Sequence, residues 1–579
     1  MTLSLTSLLN HNLINKKEQL LYIGCILKSD ESKINILYPN IKFENKKILK
    51  KEEISERYDI CEKIFFRILI DIRKKLNDLH KINYSVRSWE LILGKWLREF
   101  IYISYRDYHK IENIFENVKI EKFISLNPEK YNLATNNTQD LFYTKLDNNW
   151  IALLHSKIVK FLKPSLTQIF LERNDQYKSN YKVADHKINV GKKIIKSFFE
   201  IFNFFKLKNE GVLYKTHLPF LFEKILEIKL NQFPKFWKLP SHKFKSPNIN
   251  KRQEITIKSH NENNLNFENF LREIIHESLP TYVVEDFSEL NKIVIKSNFP
   301  KNPKFIFTSV GFAYDELFKI YLANCIEKKI PFYVMAHGNN YFTDIHTKYL
   351  SEINTSDVFI SWGENLNSKT LPAFNLNTVG RKTLWSESGK LSIYCNPILR
   401  PNAPYDREHV DRKNLNNTLN MIKLLKSEIK KQTYIKFHPS FTINKDGDYY
   451  KNLFEQSNFK NYSYNEKNST VLKQSRLILF NYESSGLMEN LALKIPSICL
   501  MNKEFDHIKE EKKECYNLLL EAGVIFEDSN ALILHINRYW ENINDWWLNS
   551  TTQKKIDAFN ELLNIPYNQK KNTLEKILS

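Results

Sequence analysis

Glycine is scarce in this chain, with 12 in 579 residues. No Gly-x-x-x-x-Gly-Lys-Ser/Thr or Gly-x-Gly-x-x-Gly stretch occurs, which excludes the glycine loops that cradle ATP or a dinucleotide. Cysteine is sparse as well. Cys25, Cys61, Cys325, Cys395, Cys499 and Cys515 include no Cys-x-x-Cys pair, and Cys325, Cys395 and Cys499 lie in apolar runs. They read as buried, reduced thiols in a cytosolic protein. No apolar run reaches the length of a membrane span, so a membrane role would have to be peripheral. Met1 to Leu20 lacks a basic start followed by a long apolar run, and no signal peptide is expected. RNA-recognition, zinc-finger and helix-turn-helix signatures are missing, as are internal repeats and heptads.

What is present is globular: 42% of all residues are hydrophobic, 26% charged and 13% aromatic. A chain of 579 residues is too long for one ordinary core, so at least two domains are expected. The net charge is +20, from 86 Lys+Arg against 66 Asp+Glu. Such a balance favours an anionic partner: membrane surface, nucleic acid or acidic glycan. The lysines run through the whole chain, and a solvated surface accounts for them equally well.

Two short signals organise the rest. Thr433 to Lys436 reads as a buried strand ending in Phe437-His438-Pro439, and Arg476 to Phe480 as a strand ending in Glu483-Ser484-Ser485-Gly486. Leu487 to Lys494 then reads as a helix. Free backbone N–H groups at that helix start, with two hydroxyls, suit an anion; ordinary serine capping is the plain alternative. Strands are also expected at 304–308, 331–335, 357–364 (ending in a polar turn), 391–395, 495–500 and about 523, with helices between them. The pattern implies parallel sheets covered by helices. A break is expected near residue 385.

Upstream, Leu20 to Cys25 is a plausible first strand. From Ile60 the apolar residues Ile64, Phe65, Ile68, Leu69, Ile72 and Leu76 fall on one helical face, with Asp59 as cap. Ser85 or Ser88 is expected to cap a second helix carrying Arg87, Trp89, Trp96 and Phe100. The tryptophans read as core, and Arg87 equally as surface charge or site. Residues 121–180 lack clear periodicity, 190–205 and 267–277 read as helices, and 234–263 as a long loop. Asp446-Gly447-Asp448 has the look of an Asp-x-Asp metal motif, but its turn composition makes it a loop, and no metal is expected.

The block Ser85-x-Arg87-x-Trp89 to Gly94-x-Trp96-Leu97 resembles a bacterial family of transferases associated with surface-polysaccharide and O-antigen biosynthesis. The likeness continues through Asp315-Glu316, His337-Gly338, Ser356-Asp357 and Trp362-Gly363. Ser88, Lys95, Ala336, Asn339 and Phe342 depart from that family's pattern. The His438-Pro439 and Ser484-Ser485 pair is similar to motifs of GT-B glycosyltransferases that use CMP-activated keto-sugars, in which such groups contact cytidine monophosphate. The resemblance implies an α/β, GT-B-like fold: two facing Rossmann-like domains with an N-terminal helical elaboration. Residues 1–385 would form the acceptor side and 386–579 the donor side, with the last helix returning to the first domain.

The implied function is transfer of a sugar, preferably a CMP-linked keto-sugar acid, to a lipid-linked or surface glycan in the cytoplasm, peripherally at the inner membrane face. His438, Pro439, Ser484, Ser485, Gly486 and Glu489 would hold the nucleotide, with Glu489 facing the ribose. Asp315 is the first choice for base or nucleophile, then His337, with Glu316 and Glu364 in reserve; Arg87 and Trp89 would lie on the acceptor side. Asp315 reads equally as a helix-start carboxylate, His337 as a turn histidine bonded to backbone. No cofactor and no nucleic acid are implied, the nucleotide sugar being substrate. A UDP- or GDP-sugar donor is the near rival, and a non-catalytic basic scaffold for glycan or lipid the distant one.

Overall fold

The computed structural model describes residues 3–9, 19–24, 28–44, 49–144, 147–171, 210–258, 266–339, 341, 343–365, 367–397, 403–405, 408–442, 445–501 and 507–579. The helix expected at 190–205, Cys25 and Phe342 lie outside them. Three parallel sheets follow one another along the chain.

The first sheet holds β1 (Leu3–Thr6), β2 (Leu20–Tyr22), β3 (Ile41–Phe43), β4 (Ile120–Leu126) and β5 (Thr167–Leu171), in the order β3-β2-β1-β4-β5. Sequence reading anticipated only β2 of these, because the others are short and several are half-polar. Between β3 and β4 run the two long helices Lys51–His80 and Val86–Asn117. The first starts well before Ile60. Its opening turns are half exposed and carry little apolar periodicity, and Glu53 closes them by accepting from Lys50 N at 2.9 Å. Asp59 is therefore no cap; it lies inside the helix and accepts from Tyr349 Oη at 2.5 Å. The second helix begins where expected, with Ser85 Oγ accepting from Ser88 N at 3.2 Å.

Arg98 joins the two helices. Its guanidinium, 4% exposed, reaches Glu62 and Glu90 at 2.7 Å and stacks 3.7 Å over Phe65.

The middle sheet comprises β6 (Val212–Leu213), β7 (Ile306–Thr308), β8 (Phe332–Met335), β9 (Val358–Ser361) and β10 (Thr370–Pro372), in unbroken order β10-β9-β8-β7-β6. The third has β11 (Lys390–Tyr394), β12 (Thr433–Lys436), β13 (Lys460–Asn461), β14 (Ser475–Phe480), β15 (Ser497–Leu500) and β16 (Ile525–Phe526), in the order β13-β12-β11-β14-β15-β16. Their continuous apolar runs, such as Leu477-Ile478-Leu479-Phe480, are buried on both faces, as strands between helix layers must be. Each such side chain contributes ~1.5–3 kcal/mol of burial.

The order of the third sheet reverses between β11 and β14. A crevice at the carboxyl ends of an open α/β sheet forms at such a reversal. His438 follows β12 and Ser484 follows β14, so the two do not sit on neighbouring strands: β11 lies between them. Asp446-Gly447-Asp448 opens the helix Lys445–Gln456 and is not a loop. Polar turns and helix starts draw on the same residue types, so composition alone does not separate them.

The carboxyl edges of the middle and third sheets meet through Asn339 and Ser485, giving two facing α/β halves, with the first sheet and its long helices as the elaboration. The tail returns across the gap. After the helix Ser550–Leu563, buried Asn564 donates to Met488 O at 2.8 Å and accepts from Asn375 Nδ2 at 2.7 Å. Ile565 N then donates to Trp362 O at 2.7 Å. Leu574 and Leu578 close the chain in one apolar cluster with Phe307, Met335 and Ile360.

Candidate functional site

At the reversal, buried Asn396 and Asn481 pin the ends of β11 and β14 to each other. Asn396 N donates to Asn481 Oδ1 at 2.7 Å, and Asn481 Nδ2 donates to Asn396 Oδ1 at 2.8 Å. The chain leaving β14 then enters the helix Ser485–Ala492. Ser484 is its N-cap, accepting from Leu487 N at 3.2 Å. Ser485 Oγ faces the other half of the molecule: it accepts from Asn339 N at 3.1 Å and donates to Asn339 Oδ1 at 2.8 Å. A Cβ on Gly338 would stand 3.1 Å from the same oxygen, so the His337-Gly338-Asn339 loop lies against the helix start.

Glu483, just before the cap, was not singled out from sequence. Its carboxylate, 2% exposed, accepts from Asn339 Nδ2 at 3.1 Å, Tyr516 Oη at 2.5 Å and His507 Nε2 at 2.8 Å. Three donors from separate segments satisfy a buried charge that would otherwise be costly. Partners 24 and 33 residues downstream leave no local pattern to detect; the one available signal was an acid inside the Tyr482-to-Gly486 turn.

Beside this network lies a small cleft open to solvent, lined from both halves by Gly338, Asn339, Glu364, Met488, Tyr516 and Phe559, among others. Glu364 meets Lys512 Nζ at 2.9 Å. Burial holds its pKa above the ordinary carboxylate range against the pull of Lys512. Glu489, one turn into the helix, is pushed up to about 6 by burial, and its partner Arg381 on the crossing segment opposes the rise.

His337 ends β8. Its Nδ1 lies 2.7 Å from Tyr341 Oη. Burial, helped by His217 and Lys95, lowers its pKa to about 4, and a hydrogen bond to the Ser309 backbone acts the other way. The ring is thus neutral and engaged. Asp315 caps the helix Glu316–Ile326, accepting from Phe318 N at 3.2 Å, and receives Lys215 Nζ at 2.6 Å and Tyr214 Oη at 2.7 Å. All of these are structural ties. Glu316 turns toward the first unit, accepting from Thr138 N at 2.9 Å and pairing with Lys319 at 2.8 Å.

Of the expected residues, then, Ser484, Ser485, Gly486, Glu489, His337 and Glu364 converge on the meeting edges. His438 and Pro439 lie at the same sheet edge, beyond the intervening strand, and His438 is exposed. Arg87 and Trp89 stand apart. Arg87 Nε donates to Thr355 O at 2.8 Å and its guanidinium pairs with Asp357 at 2.8 Å. Trp89 is fully buried, donating to Asn77 Oδ1 at 2.8 Å. Both fasten the long helix to its surroundings.

Among the described residues, His242, Asp286 and Glu289 place ligand atoms within 4.8 Å of one another. Lys245 already occupies the group, donating from N to Asp286 at 3.1 Å and pairing with Glu289 at 2.8 Å. No helix of the described residues is long and apolar enough to cross a membrane.

A family model described as LIC12162 family transferase matches residues 1–578. No curated protein matches the chain. Among solved structures, Acinetobacter baumannii MurG is similar at 10% identity, over 50% of this chain and 76% of that one, with a TM-score of 0.29. Spinosyn rhamnosyltransferase SpnG complexed with spinosyn aglycone is similar at 12% identity over 47% and 73%, with a TM-score of 0.24. UDP-glucose: anthocyanidin 3-O-glucosyltransferase in complex with UDP is similar at 11% identity over 64% and 99%, with a TM-score of 0.32.

Proposed function

The chain belongs to the LIC12162 family of transferases, and from that premise we propose that it is a glycosyltransferase that moves a sugar from a CMP-activated keto-sugar acid to a lipid-linked or surface glycan. The observation that carries the reading is the Ser484–Ser485 helix start, which stands at the strand-order reversal of one half and faces a loop of the other.

The leaving group is the nucleotide monophosphate. Negative charge grows on its oxygen as the sugar becomes oxocarbenium-like. Stabilising that charge is the main catalytic task. Backbone N–H groups of the first helical turn, the helix dipole and the Ser485 hydroxyl meet the phosphate; Glu489 accepts from the ribose hydroxyls, and His438-Pro439 bounds the base side. In this reading the transfer takes no metal or other cofactor. The acceptor hydroxyl enters from the middle sheet, where Gly338 and Glu364 line the cleft and His337 precedes Gly338 in the chain. The protein works in the cytoplasm, held peripherally at the inner membrane face by its basic surface.

Thermal protection tests the donor. CMP is expected to raise the melting temperature more than UDP or GDP at equal concentration. Absence of protection by CMP sinks the CMP donor, and protection by UDP or GDP alone transfers the reading to those sugars.

A further inference from the structure

The turn after β6, Tyr214-Lys215-Thr216-His217, carries two left-handed residues that are not glycine: Lys215 at φ 47° and His217 at φ 60°. Each costs of the order of 1 kcal/mol or more and persists only where the surroundings impose it. They do so here. Ser309 N and Val310 N both donate to Lys215 O at 3.3 Å, and Ser309 Oγ donates to Thr216 O at 2.8 Å. Lys215 Nζ and Tyr214 Oη are both anchored on Asp315. These bonds hold the turn, and His217 at its end is exposed.

That histidine has no hydrogen bond or ion pair among the described residues. Its ring stands edge-on to His337, centroids 5.8 Å apart, beside the loop whose Asn339 touches Ser485. On the other flank, a Cβ added to Gly380 would meet Pro219 at 3.9 Å, and the next residue, Arg381, reaches Glu489. The turn thus sits between two segments that both contact the helix Ser485–Ala492. Asp315 and His337 are engaged elsewhere; His217 is a proton acceptor at this edge that has no hydrogen-bond or ion-pair partner among the described residues. Desolvation lowers its pKa from 6.5, so the ring is neutral near pH 7.

We propose that His217 is the general base of transfer; this rests on reading the cleft as a glycosyl-transfer site. An unprotonated ring nitrogen takes the proton of the acceptor hydroxyl. The acceptor oxygen's electron pair forms the bond to the anomeric carbon. The bond from that carbon to the phosphate oxygen breaks, its electrons leaving with CMP, and the imidazolium returns its proton to water.

The test uses the native donor and acceptor. In cells lacking the gene, the wild-type chain is expected to restore the surface glycan. His217→Ala and His217→Gln, present at the wild-type level, are expected to leave it roughly a hundredfold lower or less, the range of general-base catalysis, while CMP still raises their melting temperatures as in wild type. Restoration by His217→Gln to within about threefold overturns the assignment. Loss of CMP protection in both variants also overturns it, by showing a structural role. If the wild-type chain neither restores a glycan nor responds to a nucleotide, the transfer reading itself has failed and the base falls with it.

Discussion

Ser485, at the helix start after β14, and Asn339, in the loop after β8, hold each other by two hydrogen bonds, of 2.8 and 3.1 Å. The hydroxyl offered to the phosphate is therefore engaged by the facing half before any ligand arrives. Binding has to displace or share that contact, and a state with a free hydroxyl is only a fraction of the population. Asn339→Gly is expected to tighten CMP binding severalfold. Ser485→Ala removes a hydrogen bond to a charged group, worth ~1.5–3 kcal/mol, and is expected to weaken CMP by roughly ten- to a hundredfold. Calorimetric titration reads both; an unchanged dissociation constant in Ser485→Ala removes the hydroxyl from the phosphate site.

The Glu483 carboxylate makes a second, independent prediction. Tyr516 Oη donates to it at 2.5 Å within a buried network. Tyr516→Phe keeps the ring and deletes the donor, so the expected loss is ~1.5–3 kcal/mol of unfolding free energy, measured by urea titration. A loss under about 0.5 kcal/mol means that water replaces the hydroxyl and the network is not tight.

Much of the middle and third sheets was legible because their strands are short apolar runs that stop in polar turns: Phe332 to Met335 before His337, and Leu477 to Phe480 before Ser484. Which strand lies beside which was not. The position of β11 between β12 and β14 is set by helix crossovers, and no residue in β12 announces it. The first sheet escaped because strands such as Leu3–Thr6 and Ile41–Phe43 are too brief for a period to emerge. Glu483, His507 and Tyr516 escaped because their partnership exists only after folding. His217 escaped because a left-handed backbone in a non-glycine residue follows from tertiary restraint, not from residue type. Trp89 and Asp315 show the converse: both match a motif, and their partners, Asn77 for Trp89 and Phe318 N, Lys215 and Tyr214 for Asp315, could not be read from it.

Acid should weaken the fold through half-buried histidines held in the neutral form. His80, His337 and His535 are each pushed down to about 4, chiefly by burial. In the unfolded chain they bind protons near pH 6.5, so the unfolded state takes up more protons between 6.5 and 4. Stability is full above pH 6.5 and falls as pH drops toward 4, by up to ~3 kcal/mol per histidine. His535 stands edge-on to Trp546, centroids 4.6 Å apart. His535→Gln is expected to flatten the urea midpoint against pH by about one proton's share in that window. A slope identical to wild type removes His535 from the account.

Glu489 predicts the opposite slope. Its pKa is pushed up to about 6 by burial, in spite of Arg381. A raised carboxylate favours the protonated form in the folded state, so stability is full below the unfolded value near 4.5 and is lost as pH rises through 6. The cost at pH 8 is ~2 kcal/mol. Arg381 is 47% exposed and keeps its hydration if Glu489 is neutralised. Glu489→Gln is therefore expected to match wild type near pH 4.5 and to exceed it by ~1–2 kcal/mol at pH 8. A carboxylate retained against stability, one turn inside the proposed nucleotide helix, is the pattern of a functional group. The same variant is accordingly expected to bind CMP several times more weakly, through the lost acceptor for the ribose hydroxyls. A variant less stable than wild type at pH 8 means that the Arg381 pair outweighs burial. A variant more stable with unchanged CMP affinity keeps the electrostatic argument and removes Glu489 from the ribose.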